Sequence, residues 1–152
     1  GGGKLPSEVY YEAFQRNYHK AQYLWVQFST EWLSAGSRAF GGDLQLMLIL
    51  ALIGQVTLER AVAANGNVDD LTRTGINASR ISDVTGIPRE TVRRKLLVLE
   101  KRNWIEQDGN ANWSIKVVNG QAPVRAELAS LEEFAIRGVT RFVAAFEPLS
   151  RS

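Results

Sequence analysis

The sequence predicts a mainly α-helical fold carrying one small β-hairpin, and three observations predict it. Apolar residues recur at helical spacing through three long stretches of the 152-residue chain. Between the second and third stretches, two shorter amphipathic runs meet at a glycine. Beyond those, two alternating runs flank an Asp-Gly turn. With 45% hydrophobic and 22% charged residues, the chain can bury a core, and wholesale disorder is excluded.

The first stretch runs from about Ser7 to Leu33. Tyr11, Phe14, Tyr18, Ala21, Trp25, Phe28 and Trp32 alternate spacings of three and four, which puts them on one stripe. Ser7 is the expected cap and Gly36 the expected end. A helix of about 27 residues would be roughly 40 Å long, more than a chain of this size can cover alone. Gly1 to Gly3 read as an expression scar, leaving residues 1–6 flexible.

Asp43 is the expected cap of a second helix reaching about Val62. Leu44, Leu46, Leu48, Ile49, Leu50, Leu52, Ile53, Val56 and Leu58 leave it almost no polar side, so other helices should surround it. Gly54 reads as a point of close approach, since glycine within a helix otherwise costs about 1 kcal/mol. Residues 65–75 are polar and turn-rich, and read as a loop. The last helix is expected from about Ala122 to Phe146, with Leu128, Leu131, Ala135, Phe142 and Phe146 as its stripe. Ile136, Val139 and Val143 lie alongside. Pro123 suits its first turn, Pro148 closes it, and residues 149–152 should fray.

The informative segment lies between these helices. Ser79 is the expected cap of a short helix that turns Ile81 and Val84 toward a core. Gly86 stands where the chain must turn left-handed, and Pro88 fits the first turn of the next helix. In that helix, about 88–101, Val92, Leu96 and Leu99 share one face while Glu90, Arg93 and Arg94 point away. Such a pair describes a helix-turn-helix. Trp104 to Gln107, the turn Asp108-Gly109-Asn110 and Ala111 to Val117 then form a hairpin, so the order is that of a winged helix. Residues 80–102 hold seven basic side chains against three acidic ones, a local +4 in a chain of net +2. A phosphate-facing surface requires such a concentration.

The run from Ile81 to Arg94, followed by Leu99-Glu100-Lys101-Arg102-Asn103-Trp104-Ile105, resembles the winged helix-turn-helix regulators of bacteria. Two helices before the module and one after it are similar to the MarR-type arrangement. That resemblance implies a homodimer whose terminal helices interlock, binding double-stranded DNA with the recognition helix in the major groove. It implies base or phosphate contacts by Arg89, Glu90, Thr91 and Arg93, and a phosphate contact by Arg94. Ser79 and Arg80 open the supporting helix, where amide groups and charge suit a phosphate. Departures are visible: the tip 108–110 has no arginine, and only Lys116 is basic nearby. Asn103 stands where the family carries glycine, and Leu97 and Val98 are apolar, which suggests packing against the wing or the last helix.

Domain boundaries follow: residues 7–62 as N-terminal dimerisation helices, 63–118 as the winged helix-turn-helix, and 119–152 as the C-terminal dimerisation helix and tail. Trp25 and Trp32 read first as packing residues of the dimer core and second as the lining of a small-molecule effector site. No cysteine and a single histidine, His19, leave no metal or thiolate chemistry, and no cofactor is expected. Glu132-Glu133 and Asp69-Asp70 diverge on a helix, and no phosphate-cradling loop or nucleophile elbow occurs, so an enzyme is not expected. Asn77-Ala78-Ser79 and Asn112-Trp113-Ser114 match a glycosylation pattern that nothing else supports. The most apolar run, Leu46 to Ile53, is well short of the roughly 18 residues of a membrane span, and no signal-peptide core follows Lys4. A soluble cytoplasmic regulator without a membrane partner is the expectation. The competing one is a winged helix that binds protein instead of DNA.

Overall fold

Alternating apolar spacing does give helix from the N-terminus, but in two pieces. The structure is a computed structural model and describes residues 3–63 and 75–151. The loop expected at 65–75 lies outside these residues except for Gly75. Helix α1 (Pro6–Arg16) opens on a proline, whose missing N–H a helix start leaves unbonded anyway, and Ser7 is not its cap. Asn17 leaves helical geometry (φ −115°, ψ 42°) while its side-chain amide donates to the Ala13 carbonyl at 2.9 Å. Helix α2 (Tyr18–Ala39) follows at once. It runs through Gly36, which is buried within it, and the chain turns instead at Gly41 and Gly42, both left-handed. The structure is mainly helical with one two-stranded antiparallel sheet.

The chain divides into two compact units, residues 1–38 with 130–152, and residues 39–129. In the first, α1 and α2 join helix α7 (Ala129–Phe146) and a closing 3₁₀ helix (Glu147–Arg151). Rings of Trp25, Phe28, Phe142, Phe146, Phe14 and Tyr10 form one connected series, with centroids between 5.7 and 6.2 Å apart. Gly138 is buried under it, and a Cβ there would stand 3.2 Å from the Phe28 ring. The C-terminal segment does not fray as expected. Its 3₁₀ helix lies along α1, and the Leu149 carbonyl accepts from the Asn17 side chain at 3.5 Å.

In the second unit, helix α3 (Leu44–Ala63) starts where Asp43 predicts: the Asp43 Oδ1 accepts the Leu46 N–H at 2.9 Å. Leu46, Ile49, Leu50 and Ile53 are buried, and α3 packs against α4 (Ala78–Thr85), α5 (Arg89–Lys101) and strand β2 (Trp113–Ile115). It therefore belongs with the basic module, not with the N-terminal helices of the expected 7–62 unit. Leu44, Leu48, Leu58 and Val62 stay exposed, so the described residues do not surround α3. By length and composition α3 could cross a membrane, a test that a core helix also passes. Strand β1 (Ile105–Gln107) pairs antiparallel with β2, Ile105 opposite Ile115 and Gln107 opposite Trp113. On the other edge of β2, Ile76 exchanges both backbone hydrogen bonds with Trp113, at 2.8 and 2.9 Å. Helix α6 (Pro123–Glu127) is separated from α7 at Leu128, so the expected single helix from Ala122 is also two.

Two glycines of this unit have opposite roles. A Cβ on Gly54 would meet nothing within 4 Å among the described residues, so the close approach expected there does not occur. A Cβ on Gly75 would lie 2.4 Å from the Trp113 carbonyl oxygen, in the backbone that holds Ile76 to the sheet. Gly54→Ala is expected to raise unfolding stability by up to about 1 kcal/mol. Gly75→Ala should lower it by about 1–3 kcal/mol, because backbone must move. Urea unfolding of both variants checks the pair, and equal signs would show the packing to be wrong.

Candidate nucleic-acid interface

The basic module is built on two short helices fixed by local hydrogen bonds. Ile76 is held extended by its bridge to Trp113, so α4 can begin only after it. Its cap is Asn77, not Ser79: the Asn77 Oδ1 accepts the Arg80 N–H at 2.8 Å. That amide is consequently spent on the cap, and only the exposed guanidinium of Arg80 remains to meet an anion, with Ser79 half-buried beside it. Ile81 is fully buried as expected, whereas Val84 is 52% exposed and faces away from the core.

The turn that follows is closed several times over. Gly86 takes φ 75° and donates its N–H to the Ser82 carbonyl at 2.9 Å. The Ser82 hydroxyl donates to the Ile87 carbonyl at 2.6 Å, and the Thr85 hydroxyl accepts the Ile87 N–H at 3.2 Å. Pro88 sits just before the first residue of α5, and its carbonyl accepts the Val92 N–H. The helix expected at 88–101 is α5, Arg89–Lys101.

Val92, Leu96 and Leu99 of α5 are all at or below 1% exposure, which fixes the rotation of the helix about its axis. At 100° per residue, Glu90, Arg93 and Arg94 then turn away from that stripe, whereas Arg89 lies nearly in line with it and is free at the first residue of the helix; all four are exposed. Thr91 is half-buried at the edge of that face. Glu90 and Arg93 form a two-point ion pair, Nη2 to Oε1 at 2.6 Å and Nε to Oε2 at 3.1 Å. The hydrogen bonds from Arg93 hold the Glu90 carboxyl below its ordinary range. Arg94 reaches the Thr91 hydroxyl at 3.4 Å. Leu97 and Val98, expected against the hairpin or last helix, are 47% and 43% exposed.

Two of the basic residues counted in the sequence have partners away from that face. Lys95 donates to the Asp43 Oδ2 at 2.6 Å, tying α5 to the start of α3. Arg102 lies over the Trp104 ring at 5.0 Å, and that buried indole donates to Glu127 and meets Phe40 edge-on. The base of the hairpin is set by Asn103, left-handed at φ 68°, whose side chain accepts from Lys116 at 2.6 Å. At its tip, the Asp108 carboxylate accepts the N–H groups of Asn110 and Asn112, which hold its carboxyl low. Sequence reasoning found the outward face but missed Asp43 as the partner of Lys95. Only the acid-cap pattern at Asp43 was visible, and the two residues are 52 apart.

Trp25 and Trp32 are not in this unit. Trp25 is 47% exposed and touches the rings of Phe28 and Phe142, while Trp32 is half-buried. Neither lines the concavity between α2 and α7, which Leu24, Phe28, Gly138 and Phe142 border. Among the described residues no cluster of His, Asp and Glu could hold a metal ion. No protein-family model, curated protein or solved structure matches the chain.

Partial burial pushes the Asp43 carboxyl up, but the Lys95 ammonium and the Leu46 N–H together outweigh it, and the group sits below its ordinary 3.8. A depressed carboxyl stabilises the fold above its unfolded value and loses that contribution as pH falls through the folded one. Asp43→Asn keeps a capping oxygen and removes the charge. It should be less stable than the parent above about pH 5, with the gap closing below about pH 4. Thermal melts across that range check it, and a gap independent of pH would show that the ion pair contributes nothing.

Proposed function

We propose that this chain is a winged helix-turn-helix transcription regulator that binds double-stranded DNA as a cytoplasmic homodimer, with α5 in the major groove. The observation that carries the reading is the two-sidedness of α5. Its apolar side is sealed into the unit, and its outer side presents Arg93 and Arg94, with Arg89 at its first residue and Arg80 of α4 exposed as well. A duplex offers phosphates along both walls of the groove and base edges on its floor, which matches a rigid helix with charge on its free face.

The homodimer is supported by the unit built from α1, α2 and α7. Tyr18, Tyr23, Trp25, Val26 and Leu33 of α2 and Ile136, Val139 and Val143 of α7 are each more than two-fifths exposed. Apolar surface on this scale marks a protein interface. A two-fold dimer would set two recognition helices about 34 Å apart, one duplex turn. A competing use, docking of a protein on α5, is favoured by the exposed Leu97 and Val98 beside the basic face.

Titrating duplex DNA at several salt concentrations separates the two. A groove binder loses affinity steeply with salt, log K falling by about 0.9 per phosphate neutralised for each unit of log salt. Arg94→Ala should reduce that slope by about 1, and Arg93→Ala should weaken the selected site roughly ten- to a hundredfold. Unchanged binding in both variants would remove the groove face from the reading. For the dimer, sedimentation at micromolar concentration should give twice the chain mass of 16.9 kDa. A stable monomer there would contradict it.

A further inference from the structure

Glu90 is out of place on a surface whose task is to meet phosphates. It stands beside Arg93 and Arg94 on the outer face of α5, 67% exposed at its side chain, and as a carboxylate it repels a duplex. No burial explains its presence, because Arg93, its partner, is 60% exposed. Exposed single ion pairs contribute little to stability. The pair also cancels the charge of Arg93, so phosphate attraction is not what it supplies.

Its geometry suggests what it does supply. A guanidinium has five N–H groups in a planar fork. Glu90 takes the side edge, with one oxygen on Nε at 3.1 Å and the other on Nη2 at 2.6 Å. The end edge remains, where one N–H of each terminal nitrogen points forward in parallel. Two parallel donors match the O6 and N7 acceptors of guanine in the major groove, a pattern no other base presents. Arg94 is held differently, by a single contact of 3.4 Å to the Thr91 hydroxyl, and keeps its freedom and its charge for a phosphate.

We infer that Glu90 and Arg93 form one base-reading unit, in which Glu90 holds Arg93 end-on toward a guanine, so that each half-site contains a G·C pair at that step. The inference rests on the regulator reading above and adds to it the base that is read and the residue that makes the reading selective. Glu90 is a positioning residue: it trades affinity for all duplexes against discrimination among them.

Selection of bound sites from randomised duplex, with the full chain and with Glu90→Gln, Arg93→Ala and Glu133→Gln, tests it. Glu133 forms a comparable exposed pair with Arg137 at 2.8 Å on α7, so its variant controls for loss of a surface ion pair. The parent and Glu133→Gln should select a guanine at one step of each half-site. Arg93→Ala should lose that guanine, and Glu90→Gln should weaken the preference about tenfold or more. Glu90→Gln should also bind non-cognate duplex more tightly, since it removes a negative charge, whereas a residue needed only for folding would weaken both. Selected sites in which the guanine is absent, or persists in both variants, overturn the inference and leave the regulator reading standing. A cytosine preference lost only with Glu90 also overturns it, because the carboxylate would then contact the base itself. A parent without salt-dependent duplex binding overturns the reading and the inference together.

Discussion

The burial of Val92, Leu96 and Leu99 decides what the rest of α5 can do. These three positions lie on one stripe, none more than 1% exposed, and Ile81 of α4 is as deeply buried. Burying a Leu or Val side chain contributes about 1.5–3 kcal/mol. Rotating the helix by one residue, about 100°, would expose that stripe and drive a guanidinium toward the core. The direction of Arg93 and Arg94 is therefore set from inside the unit. A further tether acts on the same helix, since Lys95 is held by the carboxylate that caps α3. One side chain thus starts one helix and orients another.

Features fixed by local chemistry were legible in the sequence. Gly86 was expected to be left-handed and is, at φ 75°, and Asn103, standing where the family carries glycine, takes the same conformation at φ 68°. The hairpin around 108–110 was legible from the alternating runs that flank it, although its left-handed residue is Ala111 at φ 62°, not Gly109. Asp43 was readable as a cap because a short acceptor before an apolar run has one favourable use.

What failed depended on partners distant in sequence. The breaks at Asn17 and Leu128 carry no glycine or proline, and apolar spacing continues across both, so periodicity alone ran each pair of helices together. Ser79 and Asn77 are equally able caps two residues apart. The choice belongs to Ile76, whose bridge to Trp113 keeps the chain extended up to Asn77. Gly36 and Gly54 look alike as letters but differ in fact: one is buried inside a helix, the other faces open space. Gly138, unremarked in the sequence, carries the close approach of α7 to Phe28. Composition could not say which of the seven cations between residues 80 and 102 turn outward, and Lys95 does not.

That subtraction changes what the charge means. With Lys95 paired to Asp43 and Arg93 to Glu90, the outer face of the helix pair attracts a polyanion less than its sequence suggests. The hairpin tip adds no arginine, and its Asp108 is an acid held ionised by two backbone N–H groups. Weak general attraction is a handicap for a protein that coats nucleic acid, but an advantage for one that must reject most sequences, because non-specific binding is nearly all electrostatic. Specificity is a difference between two affinities, so lowering the unspecific one raises it as surely as improving the specific one. An acid kept among arginines makes sense on those terms. The same charge pattern would be wasteful in a scaffold whose only requirement was to hold a duplex.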